Sequence, residues 1–130
     1  YKSKSNPSGV TSFDYTHVES FLLNVGQDYF RENDVGSWIE TIEVDTISFS
    51  FLMEMYNINH VDLLQIDAEG YDLEILKMAL DAGVFPRVIN FEIKNLKKTD
   101  VMYAEKRLLE SSYCIFHHRG DALAIKGLLL

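Results

Sequence analysis

The chain has 130 residues, enough for one domain, and at 47% hydrophobic residues it can bury a real core. Twelve basic residues against twenty acidic ones leave a net charge of −8, which argues against nucleic acid and anionic membrane as partners, because both demand basic surface. Cys114 is the only cysteine, which excludes an internal disulfide and a paired-cysteine metal site and suits a reducing cytoplasm.

No apolar run approaches the roughly 18 residues of a membrane span. The polar start, Tyr1-Lys2-Ser3-Lys4-Ser5-Asn6-Pro7, shows no signal peptide, and a first residue other than Met suggests a piece of a longer protein. Residues 1–9, dominated by Ser, Lys, Asn, Pro and Gly, read as a flexible lead-in. Residues 10–38 are rich in aromatics but sustain no period, so irregular chain with short helices at 17–23 and 27–32 is expected, broken by Gly36-Ser37 before Trp38.

From residue 39 to 126 the pattern is that of an α/β core within a single domain. Ile39-Glu40-Thr41-Ile42-Glu43-Val44 alternates apolar and polar residues, which predicts a half-exposed strand. Asp45 or Thr46 is placed to cap a helix over 46–57, whose apolar face carries Ile47, Phe51, Met55 and Ile58. After a turn at 57–60, residues 61–66 are apolar on both faces except at Asp62 and Gln65, the mark of a buried parallel strand. A helix over 71–82 follows, with Leu73, Leu76, Ala79 and Leu80 in one stripe and Asp72 and Glu74 at the positive end of its dipole. Gly83 ends it and Pro86 prevents its continuation. Residues 87–93 form the next strand, and Thr99 or Asp100 starts a helix that runs to Ser111. Two strands, 113–118 and 122–126, flank Arg119-Gly120-Asp121 as a hairpin. The fold class is therefore α/β, with parallel strands ending in an antiparallel hairpin.

Chemistry concentrates in Gln65-Ile66-Asp67-Ala68-Glu69-Gly70-Tyr71-Asp72, where a strand gives way to a helix. Ligands in open α/β sheets bind at such strand ends. Alternation would aim Asp67 and Glu69 into one crevice, where a carboxylate can serve as a general base or hold a hard cation. The plainer reading is that Asp67 caps the helix and Glu69 complements its dipole. Gly70 comes too early for a calcium loop, and only Asp62 and Asp72 lie near enough in sequence to complete a metal site, so no metal is expected. His117 and His118 are adjacent and would point to opposite faces of a strand, a poor metal pair. Cys114 on a strand reads as core.

The stretch Val61-Asp62-Leu63-Leu64-Gln65-Ile66-Asp67-Ala68-Glu69-Gly70-Tyr71-Asp72-Leu73-Glu74-Ile75-Leu76-Lys77 closely resembles the signature of FkbM-type methyltransferases, with Gln65 where lysine is more usual. Three weaker landmarks fall in order around it: Ser8-Gly9-Val10-Thr11-Ser12-Phe13, Pro86-Arg87-Val88-Ile89-Asn90-Phe91-Glu92-Ile93, and Ser112-Tyr113 followed by Gly120-Asp121-Ala122-Leu123-Ala124. The resemblance spans residues 8–126. It implies a Rossmann-like methyltransferase sheet, S-adenosylmethionine as cofactor, and O-methylation of a hydroxyl on a small-molecule acceptor such as a sugar, a lipid or a secondary metabolite.

Such enzymes hold the cofactor on a glycine-rich loop, whereas the seven glycines here (Gly9, Gly26, Gly36, Gly70, Gly83, Gly120 and Gly127) are dispersed. The chain therefore looks like the C-terminal half of the domain, inactive alone, with 61–67 as its fourth strand and no assigned cofactor-binding residue. On this resemblance Asp67, Glu69 and Glu92 are the candidate catalytic carboxylates, and Thr11, Ser12 and His17 the candidate substrate contacts. For Glu92 a structural hydrogen bond to a nearby loop is an equal alternative; for His17, an exposed helix position; for Thr11 and Ser12, an ordinary loop. A second reading is a non-catalytic α/β module, in which the strand at 61–67 presents an open edge and pairs with a second copy as a homodimer.

Overall fold

The computed structural model describes residues 1–3, 10–25 and 34–127. The helix expected at 27–32 and most of the expected lead-in lie outside these residues. The chain divides into two compact units, one formed by Tyr1–Asp45 with Glu69–Tyr71, the other by Thr46–Ala68 with Asp72–Leu130.

In the first unit, strand β1 (Lys2–Ser3) pairs antiparallel with β2 (Ile39–Glu40), Lys2 opposite Glu40 and Ser3 opposite Ile39. Helix α1 (Tyr15–Val25) is longer than the 17–23 predicted. Its start is marked by Asp14, whose Oδ1 accepts the Thr16 amide at 2.8 Å. Val18 and Leu22, one turn apart, share a small core with Val10 and Ile39, and Phe21, Val35 and Trp38 pack against it. A 3-10 turn over Val35–Trp38 is capped by Asp34, which accepts the Gly36 amide at 3.1 Å.

The strand predicted over 39–44 shrinks to Ile39–Glu40. Residues 41–48 take no regular structure, and Ile42, Val44 and Ile47 are exposed. Alternation makes a strand only where a neighbour completes the hydrogen-bond ladder, and β1 is two residues long.

The second unit begins with helix α2 (Phe49–Met55), shorter than the predicted 46–57. Its cap is Ser48, whose Oγ accepts the Phe51 amide at 3.1 Å, rather than Asp45 or Thr46. Then come β3 (Leu63–Ile66), α3 (Asp72–Asp81), β4 (Val88–Glu92), α4 (Lys98–Glu110), β5 (Tyr113–His118) and β6 (Asp121–Lys126). The strands form one sheet in the order β3-β4-β6-β5, with β3 parallel to β4 and the other pairs antiparallel. The fold is thus α/β with a mixed sheet.

One core serves this unit. Ile66, Ile89, Phe91, Tyr113, Ala122 and Ala124 from the strands meet Leu73, Leu76 and Leu80 from α3 and Ala104 and Leu108 from α4. The stripe predicted for α3 is the stripe that is buried, Ala79 included. Gly83, at φ +76, ends α3: its amide bonds the Leu80 carbonyl and the Val84 amide returns to Ala79 at 2.9 Å, which satisfies carbonyls the helix leaves free. Arg119 and Gly120, both at positive φ, make a two-residue hairpin between β5 and β6, with His118 opposite Asp121. Tyr113 donates its hydroxyl to the Pro86 carbonyl at 2.6 Å, and burial pushes its phenol up to about 12.

β3 departs from the expectation of a strand buried on both faces. Only Ile66 is buried, and Leu63 is 58% exposed. The cause is its place at the end of the sheet order, where β4 is its single neighbour among the described residues. No helix among those residues is long and apolar enough to cross a membrane.

Candidate functional site

The strand leading into the carboxylate-rich turn stops at Ile66, and Asp67 beyond it is exposed. Alternation therefore does not extend to Glu69, which sits in a turn at φ +47 with Gly70 next at φ +92. Both are left-handed conformations, which glycine adopts freely and glutamate only when its surroundings hold it there.

Within the first unit those holds are visible. Ser12, 5% exposed, donates its hydroxyl to the Glu69 carbonyl at 2.8 Å, and the same oxygen accepts the Asp14 amide at 3.1 Å. His17, near the start of α1, places Nε2 3.1 Å from Glu69 Oε2. The Phe13 and Tyr71 rings pack with centroids 5.0 Å apart. Segments 12–17 and 69–71, more than fifty residues apart in sequence, are thus laced together by a side-chain-to-backbone hydrogen bond, a side-chain pair and a ring contact. Of the sequence candidates, Ser12, His17 and Glu69 come together here. Thr11 is exposed and forms an isolated backbone bridge with Lys2.

Asp67 and Glu92 belong to the second unit. Glu92 ends β4 and accepts a hydrogen bond from Asn95 Nδ2 at 2.8 Å, the loop contact that was its structural alternative. The residue that sequence reasoning undervalued is Asp72. It is 1% exposed, its Oδ1 accepts the Glu92 amide at 3.2 Å, and its Oδ2 accepts the Ala68 amide at 3.4 Å. The carboxylate ties the turn after β3 to the end of β4, a long-range role that a first-turn aspartate does not advertise. A buried carboxylate is tolerable when such donors replace water.

Two of the other histidines are engaged elsewhere. His117 Nε2 lies 2.9 Å from Glu105 Oε1 and His60 Nε2 3.1 Å from Asp62 Oδ1. Among the described residues no group of three or more His, Cys, Asp or Glu side chains is placed to hold a metal ion.

Comparison with curated proteins and with solved structures found no match. The profile of the Methyltransferase FkbM domain matches residues 2–115, which takes in Ser12, His17, the turn at 67–72 and β4. The chain belongs to the FkbM methyltransferase domain family.

Proposed function

We propose that this chain supplies the acceptor side of an S-adenosylmethionine-dependent methyltransferase, which O-methylates a hydroxyl on a sugar, a lipid or a secondary metabolite in the cytoplasm. The observation that carries the proposal is the family match over residues 2–115, together with the signature glutamate, Glu69, held in place by side chains from outside its own segment. An acceptor hydroxyl must be aligned and relieved of its proton for such chemistry. Glu69, Asp67 and Glu92 are the carboxylates offered for these tasks, and Thr11, Ser12 and His17 the residues offered as acceptor contacts.

Among the described residues no glycine-rich cradle for the cofactor is formed. The glycines are scattered, and a Cβ on Gly36, Gly70 or Gly120 would meet the side chains of Tyr15, His17 and Lys94 respectively. Close approach of such a cofactor to the backbone needs a glycine-rich turn after a strand, and its ribose needs a carboxylate at a neighbouring strand end. No step is therefore assigned to the cofactor, and the chain is read as a fragment of the catalytic domain. Transfer of radiolabel from S-adenosylmethionine to a panel of hydroxylated acceptors tests the proposal. A protein extended upstream of Tyr1 is expected to label a hydroxyl, and these 130 residues to label none and to bind no cofactor by calorimetry. Tight cofactor binding by the 130 residues would overturn the fragment reading, and failure of the extended protein on every hydroxyl would overturn the reaction.

That β3 has one strand neighbour among the described residues favours a second reading, a non-catalytic module that self-associates. An edge strand with an exposed Leu63 is a template for pairing with another copy. Sedimentation decides it: a dimer in the micromolar range is expected, and a clean monomer at high concentration refutes it.

A further inference from the structure

We infer that His17 takes the proton from the acceptor hydroxyl at its Nδ1, and that Glu69 is the residue that positions it. The inference rests on the methyltransferase reading and reverses the roles that the signature suggests. An ionised carboxylate can only accept a hydrogen bond, so the 3.1 Å pair requires a proton on Nε2. A neutral imidazole has one N–H, and placing it on Nε2 leaves the lone pair on Nδ1.

Nδ1 faces the one residue of the turn that has no side chain. A Cβ built on Gly70 would lie 3.4 Å from Nδ1, and at φ +92 the backbone disfavours any residue that has one. Among the described residues, the hydrogen bond of the His17 ring is the one at Nε2. The ring is sheltered yet reachable, with its side chain 19% exposed against 46% for Glu69. Glu69 is held at two points, its carbonyl by Ser12 and its carboxylate by His17. A carboxylate gripped in this way suits an orienting role, as in the hydrolase triads where an acid fixes the tautomer of a histidine base. In the step itself the acceptor O–H bond breaks and its electron pair stays on oxygen. The proton forms the Nδ1–H bond, and the imidazolium charge faces a Glu69 carboxylate that stays ionised.

The test uses the 130-residue chain with ¹⁵N-labelled histidine, so that it needs neither cofactor nor acceptor. Two-bond ¹H–¹⁵N correlation at a pH where the ring is neutral is expected to find His17 protonated at Nε2 and bare at Nδ1. Glu69→Ala should collapse this to a tautomer mixture, and Glu69→Gln, whose side-chain carbonyl still accepts, should restore it. Diethylpyrocarbonate, which acylates a bare and accessible ring nitrogen, should modify His17 in the folded chain. A proton on Nδ1, an unchanged tautomer in Glu69→Ala, or a His17 inert while the exposed His60 reacts would each overturn the inference. None of these outcomes depends on methyl transfer, so the failure of this assignment is distinguishable from the failure of the proposed function.

Discussion

Replacing Asp72 probes how the signature turn is held. The side chain is 1% exposed and receives two backbone amides, from Ala68 at 3.4 Å and from Glu92 at 3.2 Å. Hydrogen bonds to a charged group are worth about 1.5–3 kcal/mol, and both distances are long, so each counts at the low end. Asp72→Ala loses both and leaves the Glu92 and Ala68 amides without their acceptor, for a cost of roughly 3 kcal/mol. Asp72→Asn keeps the shape but turns an N–H toward one of the two amides, at about 1–2 kcal/mol.

Urea denaturation followed by circular dichroism reads the difference directly, with Glu74→Ala as control. Glu74 lies on the first turn of the same helix and pairs at the surface with Lys77 at 2.6 Å, so its removal should change stability by only about 0.5 kcal/mol. At the residue level, hydrogen exchange of the Glu92 amide should accelerate by about a hundredfold in Asp72→Ala, the rate equivalent of ~3 kcal/mol. If Asp72→Ala and Glu74→Ala prove equally mild, the carboxylate is not the tie between β3, α3 and β4, and the reasoning fails.

Three further outcomes are expected. For Tyr113, burial raises the folded phenol from 10.0 to about 12, so its contribution to stability is fully present below pH 10 and is lost as pH rises through 12. Tyr113→Phe should flatten the alkaline end of a pH–stability profile while costing about 1–2 kcal/mol at neutral pH, because the Pro86 carbonyl loses its donor. Gly120→Ala puts a methyl 3.1 Å from Lys94 Cβ at φ +106, whereas Gly83→Ala meets open space at φ +76. In thermal melts the first should cost more than the second, for which the left-handed backbone alone costs about 1–2 kcal/mol. Ser12→Ala frees both the Glu69 carbonyl and the Asp14 amide, so hydrogen exchange at Asp14 should speed up and stability should fall by about 1–2 kcal/mol.

Elements whose partners lie close in sequence, or whose signal is a strong period, were readable in advance. The α3 stripe, the Gly83 stop, the hairpin at 119–121 (one residue tighter in the fold, where Asp121 joins β6) and the chain order of β3, β4, β5 and β6 follow from helical spacing, from glycine at breaks in the pattern and from runs of apolar residues. The weaker expectations failed for a shared reason. Among the described residues, 41–44 alternate correctly but have no ladder to join, and β3 is apolar enough for burial but has a neighbour on one side only. Neither partner is a property of the segment itself.

The site divides in the same way. The stretch 61–77 pointed to the family through its resemblance to the FkbM signature, and the family match over residues 2–115 bears that out. Which side chains answer to one another was decided only by folding. Ser12 and His17 reach Glu69 across more than fifty residues, and Asp72 reaches the Glu92 amide across twenty. A hydrogen bond needs atoms within about 3 Å, a condition set by packing rather than by spacing along the chain.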